Sequence, residues 1–150
     1  MSTVPIYVRI SEASGLPEIS EYRPFRAVVV LDADYSDSWQ DEVSRWLVDA
    51  GCLYMMAWGP NCGSWDDSVD YAQIQKYPDE PPQADFVMTT WHERETLEEV
   101  FWFARFCAHD PYDLIENSLI VHVGTVDRAT EFMALYAQAE TIVDQEDNRS

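Results

Sequence analysis

The sequence predicts an α/β fold: a single three-layer domain with a mostly parallel sheet of about four strands flanked by helices. Three observations predict it. Unbroken apolar runs such as AVVVL (Ala27–Leu31) suit strands buried on both faces. These runs alternate with turn residues and with apolar residues at helical spacing. The 150 residues are enough for one sizeable core and too few for two.

Residues 1–24 read as an N-terminal extension carrying an edge strand, because Ile6–Ile10 (IYVRI) alternates while Ser11 to Pro24 has no clear period. The domain proper is expected over 25–143. Its first strand, Ala27–Leu31, ends at Asp32. Ser36-Asp37-Ser38 supplies an N-cap, Trp39, Val43, Trp46, Leu47 and Ala50 fall at helical spacing, and Gly51 closes the helix. The second strand, Leu53–Trp58, runs into the turn Gly59-Pro60-Asn61-Cys62-Gly63. Ser64, with Asp67 three residues on, is expected to cap a short helix from Trp65 whose apolar side is Val69, Ala72 and Ile74. Tyr77–Pro82 breaks the helix as a surface loop.

The third strand is expected over Asp85–Trp91. Thr96 and Glu99 form a capping box for a helix with Leu97, Val100, Phe101, Ala104 and Cys107 on one face. Trp102, Phe103 and Phe106 widen its apolar surface, so the helix is expected either to be more buried than a surface helix or to dock something on its second side, a second copy of the chain in a homodimer being one case. The fourth strand is Ser118–Val123, followed by Gly124-Thr125. A last helix from Asp127 carries Phe132, Leu135, Tyr136 and Ala139, and residues 144–150 read as an acidic, frayed tail. Right-handed crossovers favour the strand order 2-1-3-4.

Charge bounds the function. Asp and Glu number 28 against 9 Lys and Arg, for a net charge of -19, and Lys76 is the single lysine. That balance argues against nucleic acid and against an anionic membrane surface, both of which need clustered cations. It fits a basic protein partner, since complementary fields steer encounter. The bland alternative is an acidic coat that serves solubility. Three sparse cysteines argue against a disulfide framework, Met1 to Arg9 lacks a leader pattern, and no apolar run approaches the roughly 20 residues of a membrane span. A cytoplasmic protein is expected. With no P-loop, no dinucleotide fingerprint and no Gly-x-Ser-x-Gly elbow, no cofactor is expected.

Ligands of open α/β sheets bind beyond the carboxyl ends of the strands. The residues expected there are Asp32 and Asp34; Asn61, Cys62, Trp65, Asp66 and Asp67; Thr90, Trp91, His92 and Glu93; and His122 with Thr125. Four readings compete for them. A metal-dependent hydrolase or phosphotransfer enzyme would use Asp32, Asp34 and His92 as its catalytic set. Asp32-Ala33-Asp34 after VVVL superficially resembles the opening of haloacid-dehalogenase-like phosphatases, which implies a nucleophilic first carboxylate and a proton-moving second one. Ser36 stands where that family shows Thr or Val, and no phosphate-binding cation is in place. A thiol nucleophile would pair Cys62 with His92 or His122. A zinc site would draw on Cys62, His92 and His122, whose spacing is not diagnostic, and no metal is expected.

The fourth reading, favoured here, is that the cluster is structural or a recognition surface: Asp32, Asp34 and Asp37 would cap a helix and Trp39, Trp65, Trp91 and Trp102 would be core, or Trp65, Asp66, Asp67, Trp91 and Glu93 would form a non-catalytic binding surface. Carboxylates with tryptophan anchors would mask a basic partner, as an immunity protein or antitoxin does. Cys52–Val69 (CLYMMAWGPNCGSWDDSV) together with Thr89–Glu93 (TTWHE) resembles a small bacterial domain family of unknown function. The resemblance runs from about Phe25 and implies a single domain without implying an activity.

Overall fold

A computed structural model describes residues 4–80, 82 and 85–147, with side chains to residue 139. Five strands form one parallel sheet: β1 (Ile6–Ile10), β2 (Phe25–Leu31), β3 (Cys52–Trp58), β4 (Met88–His92) and β5 (Asn117–Val123). The helices are α1 (Asp37–Ala50), α2 (Cys62–Lys76), α3 (Leu97–Phe106) and α4 (Ala129–Asp147). Alternate residues of β2 serve two cores. Ala27, Val29 and Leu31 pack under α1 and α2, while Val28 and Val30 pack under α3 and α4.

The α/β class holds, but the strand order differs from the expected one. It is β1-β5-β2-β3-β4, so β3 separates β2 from β4, and β5 enters on the other side of β2. The reason is handedness. Crossovers through α1 and α2 each advance the chain one strand in the same direction along one face. The other face then needs cover, and α3 provides it by crossing back over β3 and β2 to β5. This accounts for the wide apolar surface of α3. Val100, Phe101 and Ala104 face the sheet, and α4 packs against the helix from its side.

The N-terminal extension belongs to the same sheet, because β1 pairs in parallel with β5. The unperiodic segment after it is the crossover from β1 to β2, made without an α-helix. Ile19 is buried in the α1 core, Leu16 and Tyr22 pack against that core, and the Trp46 indole Nε1 donates to the Pro17 carbonyl at 2.8 Å.

Several boundaries also differ. α1 follows the sequence reading, with Trp39 N donating to Ser36 Oγ and Gly51 in the left-handed region at φ 102°. α2 begins three residues before Trp65, at Cys62, behind Asn61 at φ 56°; the Ser64 hydroxyl lies inside the first turn and donates to the Asn61 carbonyl. Ile74 is 60% exposed, and the apolar side of α2 is Trp65, Val69 and Ala72. β4 starts at Met88 instead of Asp85, since both backbone groups of Val87 are held by the Gln73 side chain of α2. α4 starts at Ala129, whose N–H donates to Asp127 Oδ1. Its backbone continues helical to Asp147, through the first part of the expected frayed tail, and residues 148–150 lie outside the described residues. Among the described residues, no helix is long and apolar enough to cross a membrane.

Candidate functional site

The chain reverses direction in the sheet between β2 and β5, which is the place where open α/β sheets hold ligands. Three strands contribute to a polar relay there. His122 in β5 is 0% exposed, with Phe132 edge-on at 4.9 Å between ring centroids. Its Nε2 lies 2.7 Å from Asp32 Oδ2 at the end of β2, and its Nδ1 lies 2.6 Å from the Tyr7 hydroxyl of β1. The Arg128 backbone N–H donates to the same hydroxyl at 3.0 Å.

The Asp32 carboxylate only accepts, so His122 Nε2 carries a hydrogen and donates it there. On the other side Nδ1 and the Tyr7 hydroxyl share one hydrogen bond, and Tyr7 Oη also accepts from the Arg128 N–H. Burial pushes the Tyr7 phenol above its ordinary pKa, partly offset by the Arg128 N–H. Gly124 permits the arrangement, because a Cβ there would stand 2.1 Å from Asp32 Oδ2 and 2.7 Å from His122 Nε2. Arg128 reaches Asp32 Oδ1 at 3.5 Å and grips Glu131 with two bonds of 2.8 Å.

A second polar surface lies where α2 packs against the edge strand β4. Gly63, Asp66, Asp67 and Asp70 fall at positions i, i+3, i+4 and i+7 of α2, one face of a helix. Thr89 and Trp91, which point to the same side of β4, lie along that face. Thr89 Oγ1 donates to Asp70 Oδ1 at 3.2 Å. A Cβ on Gly63 would meet Trp91 Cδ1 at 3.6 Å and Glu93 Oε1 at 3.4 Å, so both side chains rest against the start of the helix. Trp91 is 50% exposed. Asp66 is buried, and its Oδ1 has no hydrogen-bond partner among the described residues. Burial, and then the charge of Asp66, push the Asp70 carboxyl above its ordinary range; the Thr89 hydrogen bond counters them in part.

The expected catalytic set does not come together. Asp32 is bonded to His122, and Asp34 is exposed. His92 lies beyond β3, about 10 Å from the line of β2 at ordinary strand spacing. Its Nε2 is 2.9 Å from Thr90 Oγ1, its Nδ1 is 3.4 Å from Glu95 Oε1, and its ring packs edge-on against Phe103. Cys62 is buried, which pushes its thiol up and keeps it protonated, the wrong state for a nucleophile. Among the described residues, no three His, Cys, Asp or Glu side chains are grouped to hold a metal.

Of the expected recognition residues, Asp66, Asp67, Trp91 and Glu93 share the α2–β4 surface. Trp65 does not: it is 2% exposed and belongs to the core under α1 and α2. The heptad position of Asp70 behind Gly63 was available in the sequence as a signal. Tyr7 and Arg128 were not, because their roles follow from β1 lying beside β5.

Residues 5–139 match the family described as a domain of unknown function (DUF7684), and the chain belongs to that family. The match begins ahead of Phe25, so it takes in β1 and its crossover as well as the regions carrying the resemblance. No curated protein and no solved structure matches the chain.

Proposed function

We propose that the chain is a non-catalytic, acidic binding module whose α2–β4 surface receives a basic protein partner. The observation that carries this reading is Trp91: a half-exposed indole set against Glu93 and along the Asp66–Asp67–Asp70 face of α2. An exposed indole gives a cation a π face, worth about 0.5–2 kcal/mol depending on desolvation. The surrounding carboxylates add attraction that salt screens within roughly 10 Å at 0.1 M. The net charge of -19 steers such a partner from a distance. An inhibitor of the immunity-protein or antitoxin kind, covering a basic cleft, is the class this chemistry suits. The three cysteines are unpaired, which fits a reducing, cytoplasmic setting.

A pull-down from the source cells at low salt and at roughly 0.5 M salt tests the reading. A partner retained at low salt, released at high salt and lost with Trp91→Ala supports it. Retention indifferent to both salt and Trp91 overturns it.

The relay at the switch point favours a second reading, a small hydrolase or phosphotransfer enzyme. Asp32 would meet the substrate there, with His122 behind it instead of His92. Turnover of a phosphoester panel, with and without divalent metal and abolished by Asp32→Asn, is its test. Homodimerisation through α3 would rest on Phe106, 43% exposed, and the half-buried Trp102 beside it, because Phe103 packs against Tyr54 and His92.

A further inference from the structure

We propose that the cleft between α2 and the segment leading into β4 is a specificity pocket for one arginine side chain of the basic partner. The proposal rests on the reading above and names what that surface selects. The cleft has a volume of about 340 Å³ and is lined by Asp70, Gln73, Ile74, Tyr77, Pro78, Asp79 and Phe86. That is the low end of small-ligand pockets, the scale of one long side chain.

Its chemistry is divided as an arginine requires. Ile74, Pro78 and the Phe86 ring are apolar walls along which methylenes can lie. Ile74 and Phe86 are exposed to solvent. Asp70 and Asp79 supply carboxylates for the cationic head. Phe86 and Tyr77 supply aromatic faces, and Tyr77 already attracts a cation, the Lys76 ammonium 5.5 Å from its ring centroid. Lys76 itself is committed to Asp49 at 3.4 Å on the α1 side.

The face of α2 that leads into the cleft is negative. Asp66 and Asp67 crowd Asp70 on the same helix face, and like charges so placed repel. An incoming guanidinium relieves the repulsion, and its planar fork suits a carboxylate better than an ammonium does. The seven helical steps from Gly63 to Asp70 span on the order of 10 Å of helix. An extended partner segment covers that distance in about three residues, so one cation can reach Trp91 while another enters the cleft.

The test is an amide NMR titration of the full chain. The probe is N-acetyl-arginine methylamide, and its uncharged citrulline counterpart is the control. Saturable shifts confined to Asp70, Ile74, Tyr77 and Phe86 are expected with the arginine compound only. Asp70→Asn, which keeps an acceptor for Thr89, should weaken binding about fivefold or more, and Asp79→Asn should act in the same direction. Shifts spread over the whole acidic surface, or an affinity unchanged from the parent in both variants, would overturn the pocket. A hexa-arginine peptide separates this failure from failure of the broader reading. If the peptide quenches Trp91 fluorescence in a salt-dependent way while Asp70→Asn changes nothing, the surface stands and the pocket falls. If it does neither, both fall.

Discussion

Gly124→Ala puts a methyl group into the switch-point relay. The new Cβ would lie 2.1 Å from Asp32 Oδ2 and 2.7 Å from His122 Nε2, where ordinary contact begins near 3.4 Å. His122 cannot retreat, because Phe132 and Tyr7 pack around its ring. The Asp32 side chain is 29% exposed and can swing outward. The cost is then the charge-assisted bond between them together with a buried Nε2–H left without an acceptor. Such losses come to about 2–4 kcal/mol. For a domain of this size, the melting temperature should fall by roughly 5–15 °C. Urea and thermal denaturation measure it. In an Asp32→Ala background the nearer clash is absent, so the same substitution should cost about 1–2 kcal/mol, and the difference is the coupling between the two sites. A single variant within about 0.5 kcal/mol of the parent would refute the relay as a close-packed, bonded unit.

Three other substitutions probe separate parts of the account. Tyr7→Phe strips the Arg128 N–H of its acceptor and His122 Nδ1 of its partner, so it should cost about 1–3 kcal/mol in urea denaturation; nitrogen NMR of the parent should show a ring proton on Nε2. Trp65→Ala should cost about 3–5 kcal/mol as a core truncation, whereas Trp91→Ala should leave stability within about 0.5 kcal/mol, a contrast that equal losses would contradict. Asp70→Asn should raise the melting temperature at neutral pH. Its folded carboxyl titrates above the unfolded value, so this group's contribution to stability is fully present below about pH 4 and is lost as pH rises through the folded value. The gain should shrink toward zero in acid, and a gain that persists there would place its origin elsewhere.

The α/β class could be read from the sequence because β2 and α1 each satisfy several local rules at once. Val28, Val29 and Val30 are buried on both faces, and α1 has both its serine cap and its glycine stop. What could not be read depended on pairing across the chain. No local pattern says that β5 inserts between β1 and β2, so the partnership of Asp32, His122 and Tyr7 was invisible, although Asp32 and His122 were each singled out. His92 was assigned to the wrong cluster for the same reason. Trp65 and Trp91 look alike in sequence, each beside acidic residues. The earlier start of α2 turns the first into the core, and the strand pleat turns the second outward. Ser11 to Pro24 had no period to find because that crossover buries Ile19 without forming an α-helix.

The account's central claim is that one face of an acidic molecule, and not its acidity at large, meets a cation-bearing partner. Fluorescence anisotropy of a labelled arginine-rich peptide tests it most directly, with three proteins compared at low salt. These are the parent, Trp91→Ala, and a variant with Glu12, Glu18 and Glu21 neutralised in the crossover between β1 and β2, toward the opposite edge of the sheet from β4. The account predicts that Trp91→Ala weakens binding about tenfold or more while the three-site variant stays within about threefold of the parent. Equal weakening in both, or a larger loss from the three distant charges, would contradict it.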